Sequence, residues 1–209
     1  MIDFSPLPPP PDASPTRFGH AGGVVWLTGL SGAGKSTLAS HLEQALSQRG
    51  YACYVLDGDV LRQGLNAPLG FTPAERSENV RRVGEVAALF ADAGLVCIVA
   101  VISPYAADRA LARQATTRGG LAFHEVHVAA DLATCEGRDP KGLYRRARAG
   151  LLPGFTGVDA PYEIPQAPQL VLATHGEPIA TSVTRLLDYL GRHCPLHSPS
   201  EHKARAITP

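Results

Sequence analysis

The sequence predicts an α/β fold of three layers, with a mainly parallel five-stranded sheet between helices. Three observations carry this expectation. Short apolar runs rich in β-branched residues, at 24–27 and 95–102, lack polar alternation, as strands buried on both faces do. Between such runs lie stretches with apolar residues at helical spacing. Directly after the first run comes Gly29-Leu30-Ser31-Gly32-Ala33-Gly34-Lys35-Ser36, which fits G-x-x-x-x-G-K-[ST] between a strand and a helix.

That loop defines the first functional expectation. Gly32 and Gly34 lack a Cβ, so backbone N–H groups can close around phosphate oxygens, and the next helix offers its positive N-terminal end to the same anion. Lys35 is placed to neutralise β- and γ-phosphates, and the Ser36 hydroxyl to reach Mg²⁺. Leu38, Leu42, Ala45 and Leu46 then form one apolar helix face, until Gly50 ends the helix. The chain reads as a P-loop NTPase or kinase core.

Length and charge bound the rest. The 209 residues suit one domain with tails. Lys plus Arg and Asp plus Glu are 19 each, so no basic field exists to hold a nucleic-acid backbone, and a small anion is the expected partner. Cys53, Cys97, Cys135 and Cys194 form no C-x-x-C pair, as expected of free thiols in a reducing compartment. No signal-like opening or membrane-length apolar run is visible, and the expected location is the cytoplasm. Residues 1–22, with Pro8 to Pro11 consecutive, read as an extended or disordered arm; 23–191 form the domain, and 192–209 a disordered tail. In that tail His193, Cys194, His197 and His202 match no zinc spacing.

Taken in order, a second strand at 52–56 runs into Asp57-Gly58-Asp59. Carboxylates at the carboxyl end of a strand beside a phosphate loop suit metal and proton chemistry. Residues 68–72 form a loop, and Pro73 opens a helix through Ala93 whose apolar face is Val80, Val83, Ala87 and Phe90. Arg76 and Asn79, three apart, share a face on which they can clamp one ligand. The strand at 95–102 ends at Ser103-Pro104, which brings a hydroxyl to the same rim. A helix at 105–118 and a strand at 122–128 follow. His124 and His127 lie on opposite faces of that strand because their separation is odd, and so they read as structural. After a short helix at 131–137, the dense basic stretch 138–148 precedes Gly150, Pro153, Gly154 and Gly157, the pattern of a mobile lid over 139–157 or, equally, of a solvated basic helix. Pro161, Pro165 and Pro168 mark an irregular connection to a last strand, 169–173, and a closing helix, 179–190.

A series of spaced motifs now adds a specific resemblance. Leu56-Asp57-Gly58-Asp59, Arg62, Gly64-Leu65-Asn66, Leu69-Gly70-Phe71, Arg76, Glu78-Asn79, Arg81-Arg82, Gly84-Glu85-Val86-Ala87, Ile102-Ser103-Pro104-Tyr105, Arg138-Asp139-Pro140-Lys141-Gly142-Leu143-Tyr144, Phe155-Thr156-Gly157 and Tyr162-Glu163 resemble the adenylylsulfate kinase family over residues 22–190. The resemblance implies transfer of the ATP γ-phosphoryl group to the 3′-hydroxyl of adenylyl sulfate, giving 3′-phosphoadenylyl sulfate and ADP in sulfate assimilation. It also implies a homodimer and a functional link to a sulfate adenylyltransferase. Pro68, Ala106 and Pro153 depart from the family's usual Asp, Arg and Lys.

By the same resemblance, the nucleotide contacts are Gly29, Ser31, Gly32, Ala33, Gly34, Lys35, Ser36, Thr37 and Arg138, with Ser36 and Asp57 supporting Mg²⁺. Adenylyl sulfate falls to Asp59, Arg62, Phe71, Arg76, Asn79, Ile102, Ser103, Lys141, Leu143, Gly154 and Phe155. Phe71 and Phe155 are expected to sandwich its adenine, and Arg62 and Arg76 to hold its phosphosulfate. Lys35, Asp57, Asp59, Lys141 and Ser103 make up the catalytic set. In it Asp59 orients and deprotonates the acceptor hydroxyl, Lys141 stabilises the transferring group, and Ser103 is a substrate contact. Two other readings stay open on the residues alone. One is a kinase of a different small hydroxyl acceptor; the other is a catalytically silent nucleotide-binding regulator.

Overall fold

A computed structural model describes residues 17–196 of the chain. Five parallel strands stand in the order β2-β3-β1-β4-β5: β1 (Gly23–Thr28), β2 (Cys53–Asp57), β3 (Val96–Ala100), β4 (Ala122–Ala129) and β5 (Leu170–Ala173). Helices α1 (Lys35–Gln48), α2 (Gly58–Leu61), α3 (Pro73–Asp92), α4 (Ala106–Thr117), α5 (Leu132–Arg138), α6 (Leu143–Arg148) and α7 (Ile179–His193) complete it. Every residue of β1 is buried, which is why its sequence shows no alternation.

The two faces of the sheet carry separate cores. On one, Leu38, Leu42 and Leu46 of α1 and Leu186 and Leu190 of α7 pack on Val25, Leu27 and Ile98. On the other, Val80, Val83 and Ala87 of α3 and Ala112 of α4 meet Val24, Trp26 and Val99. Helix α3 starts sharply because Thr72 and Glu75 form a reciprocal capping box and Pro73 fills the first turn.

Register sets the site. Leu27 and Asp57 both pair with Ala100, so β1, β2 and β3 end at one level. The turn after β1, the carboxylate of Asp57 and the Ile102-Ser103 segment therefore share one rim. After β3 the chain crosses to β4 on the far side of β1, and a crevice opens at that reversal.

Four boundaries differ from expectation. The second strand, expected over 52–56, runs Cys53–Asp57, and an unexpected helix follows at once: Asp57 accepts from the Asp59 amide at 2.8 Å and caps α2. Residues 17–20, assigned to the arm, join the domain, because His20 is fully buried and its Nε2 accepts from the Ala52 amide at 2.9 Å. Helix α7 continues to His193, where the tail was expected, since Cys194 is buried and its carbonyl accepts from Tyr51 Oη at 2.9 Å. The basic stretch contains α6 and is pinned by the buried Tyr144. Residues 1–16 of the expected arm, and 197–209 with His197 and His202, lie outside the described residues. His124 and His127 do face opposite ways, toward Tyr189 and toward Tyr162. All four cysteines are free, three of them buried.

Candidate active site

The phosphate loop is held from outside by its carbonyls. Lys35 Nζ donates to Gly29 O at 2.9 Å and Leu30 O at 2.7 Å. Tyr144 Oη donates to Ser31 O at 2.9 Å, and Arg138 to Gly32 O at 3.2 Å. Thr174 Oγ1 donates to Ala33 O at 2.7 Å. Five successive carbonyls are thus occupied; of the loop's amides, that of Ala33 donates to Leu30 O at 3.2 Å, and the others are left to serve an anion. Gly34 has φ 101°, a left-handed conformation that opens α1, and at Gly29 a Cβ would stand 2.5 Å from Val128 O. Ser36 and Thr37 are exposed on the first turn of α1.

Burial lowers the pKa of Lys35 from 10.5 to about 8, although Cys135, Asp57 and Asp59 pull it upward. An ammonium held at such cost fits a ligand with several negative charges. Asp59 pairs with Lys141, so residues 82 apart in sequence meet beside the loop. Asp59 stands on α2, whose C-cap residue is Arg62, and α2 thus leads directly into the next wall.

That wall is built on the α2–α3 connection. Arg62 donates to Leu69 O at 3.0 Å and Gly70 O at 3.1 Å, and its guanidinium lies 4.3 Å from the Phe71 ring centroid. Arg76, nearly buried, donates to Phe71 O at 2.9 Å, Thr156 Oγ1 at 3.1 Å and Gly154 O at 2.6 Å. It ties α3 to the end of the 139–157 segment. Asn79 lies one turn on, buried, with Oδ1 lacking a protein partner. Arg76 and Asn79 share a face as their spacing predicts. Ile102 and Leu143 are partly buried.

Two expected roles meet contrary geometry. Phe155 is only 7% exposed and stands edge-on to Tyr144, with centroids 5.0 Å apart, whereas Phe71 is 54% exposed. Phe155 is thus a core side chain, and only Phe71 presents an open ring face. The Ser103 side chain turns inward: at 2% exposure, Oγ accepts from Trp26 Nε1 at 3.0 Å and donates to Thr28 Oγ1 at 2.9 Å. Its hydroxyl is spent inside the protein, and its carbonyl accepts from Arg109 at 2.8 Å.

Sequence reading missed Thr28, Arg109, Tyr162, Glu163 and Thr174, all of which hold the rim. Tyr162-Glu163 was visible as a motif, but a motif does not say what its side chains touch. Among the described residues no cluster of three or more His, Cys, Asp or Glu side chains could hold a metal, and no helix is long and apolar enough to cross a membrane. A P-loop magnesium site needs no such cluster, since the phosphates supply ligands; hard oxygens at Ser36 and Asp57 fit it.

A phosphate loop at the sheet's crevice, with paired acidic and basic side chains beside it, defines a P-loop kinase. A family model described as adenylylsulphate kinase matches residues 21–173. An adenylyl-sulfate kinase of Geotalea uraniireducens is 54% identical over 176 residues, 84% of each chain. The structure of a Mycobacterium tuberculosis APS kinase in complex with AMPPNP and APS is 49% identical, with TM-score 0.79 over 81% of this chain and 97% of that one. A hexameric APS kinase from Thiobacillus denitrificans is 33% identical with TM-score 0.66, over 86% of this chain and 30% of that one. This chain belongs to the adenylylsulfate kinase family.

Proposed function

We propose that this protein transfers the γ-phosphoryl group of ATP to the 3′-hydroxyl of adenylyl sulfate, giving 3′-phosphoadenylyl sulfate and ADP. One observation carries the reading: the short helix α2 bears Asp59, paired with Lys141, and ends at Arg62, whose guanidinium lies over the Phe71 ring. A donor phosphate and an anionic nucleotide acceptor can then meet at one carboxylate.

Phosphoryl transfer asks for positioning and charge stabilisation more than for covalent work by the protein. The loop amides that make no bond within the protein, together with Lys35, hold the β- and γ-oxygens. Arg138, which already braces the loop, contacts the nucleotide beside it. Ser36 and Asp57 would hold Mg²⁺, which would supply neutralising charge to the triphosphate. Arg62 and Arg76 take the phosphosulfate, Phe71 stacks on adenine, and the open Oδ1 of Asn79 accepts from a polar edge of the acceptor. Asp59 orients the 3′-hydroxyl and receives its proton, and Lys141 leaves Asp59 to follow the transferring charge. The 139–157 segment acts as a lid that excludes water.

The test is an assay of purified protein with ATP, Mg²⁺ and adenylyl sulfate, with the nucleotide product identified by mass and Lys35→Ala as control. Formation of 3′-phosphoadenylyl sulfate well above the control is the expected result. ADP without that product would assign a different acceptor, and no turnover despite ATP binding would make the chain a regulator.

A further inference from the structure

Ser103 is the one non-glycine among the described residues with φ in the left-handed region, at 43°. An L-residue is held there only when its surroundings over-determine it, and such strain gathers at functional sites. The surroundings come largely from Tyr162 and Glu163, which follow the 139–157 segment.

Thr28 Oγ1 carries a single proton and gives it to Ile102 O at 2.7 Å, because that carbonyl can only accept. Toward Thr28, the Tyr162 hydroxyl 3.0 Å away must therefore donate, as Ser103 Oγ does. Tyr162 so orders the hydroxyl chain that fixes Ile102 and Ser103. Burial pushes its hydroxyl pKa up to about 12, and it remains a donor throughout the working range.

Glu163 holds the other side. Its amide donates to Pro104 O at 2.8 Å. Its carboxylate accepts from the Ala106 amide at 2.7 Å, at the start of α4, where Tyr105 supplies no side-chain cap. The buried Arg109 closes the unit with 2.8 Å bonds to both Ser103 O and Glu163 O, while its Nε pairs with Glu125. Residues 102–106 and 162–163 are thus one hydrogen-bonded body, through which the end of the 139–157 segment bears on the acceptor rim.

We propose that Tyr162 and Glu163 are positioning residues: they hold the Ile102-Ser103 backbone in its strained, acceptor-binding conformation and register the 139–157 segment against it. Neither touches the reacting atoms. This inference rests on the acceptor site assigned above.

The test uses Glu163→Ala, Glu163→Gln and Tyr162→Phe in the full chain, with kcat and KM measured separately for ATP and adenylyl sulfate. Glu163→Ala is expected to raise KM for adenylyl sulfate about tenfold, as loss of a charge-assisted bond to an amide would, and to leave KM for ATP within about twofold. Gln keeps a carbonyl oxygen for Ala106 and restores most of the loss; Tyr162→Phe falls between. Equal changes in both KM values, or a fall in Tm with unchanged kinetics, would overturn the proposal. If the wild type makes no 3′-phosphoadenylyl sulfate, the acceptor assignment has failed, and a crystal structure of Glu163→Ala decides the positioning alone. Ser103 leaving positive φ supports it, and Ser103 remaining there overturns it.

Discussion

Lys141 and Asp59 form an ion pair that closes a long loop of chain: one stands between α5 and α6, the other on α2. Both side chains are more than half exposed, at 53% and 63%, so water screens the pair. Its place beside Lys35 points to chemistry more than to stability.

Asp59→Ala and Lys141→Ala should each lower kcat by about 10²-fold or more, the range for loss of a positioned proton acceptor or charge stabiliser. Stability should change by less than about 1 kcal/mol, as for other exposed pairs. The two rate effects should not add, because the residues act as a unit. Single-turnover rates of both single variants and the double variant, with urea melts, check this.

Lys35 makes the reaction sensitive to alkali. In the free protein its ammonium is half lost at about pH 8, so kcat/KM for ATP should fall as pH rises through that value. At saturating ATP the triphosphate favours the charged form, so kcat should hold to higher pH. Profiles from pH 6.5 to 9.5 distinguish the two curves, and Lys35→Ala should abolish turnover at every pH.

The two phenylalanines should separate. Phe71→Ala removes an exposed ring and should raise KM for adenylyl sulfate with little change in Tm. Phe155→Ala empties a core position against Tyr144 and should cost about 3 kcal/mol of stability, with any rise in KM arriving through the loosened segment. An unstable Phe71→Ala or a fully stable Phe155→Ala would reverse this assignment.

Acid should unlock the opposite end of the sheet. His124 hydrogen-bonds Tyr189 at 2.9 Å, beside Cys194 and His193, and burial, followed by the charges of His193 and Arg113, lowers its pKa to about 4. The unfolded chain takes up this proton near pH 6.5. Stability from the neutral ring is complete above pH 6.5 and is lost as pH falls toward 4, by about 3 kcal/mol in total. Tm measured from pH 7 to 4 should fall less steeply in His124→Asn than in the wild type.

The elements and the phosphate loop were legible because both are local. A buried strand shows as a run without alternation, and Lys35 and Ser36 lie within eight residues of Gly29. The strand-end position of Asp57 followed from the same logic. The order β2-β3-β1-β4-β5 was not legible, since no local pattern states which strands pair.

By itself the sequence determined the class of fold, the phosphate-binding chemistry and, through its spaced motifs, the family. Tertiary structure decided which side chains are free to act. It turned Ser103 inward, sank Phe155 into the core and tied Arg76, expected to hold the phosphosulfate, to Gly154 and Thr156. It also joined Tyr162-Glu163 to the strained turn after β3 and set Lys141 on Asp59. Each outcome depends on chain segments dozens of residues apart competing for the same hydrogen bonds and buried volume, and that competition is resolved only when the sheet has brought them together.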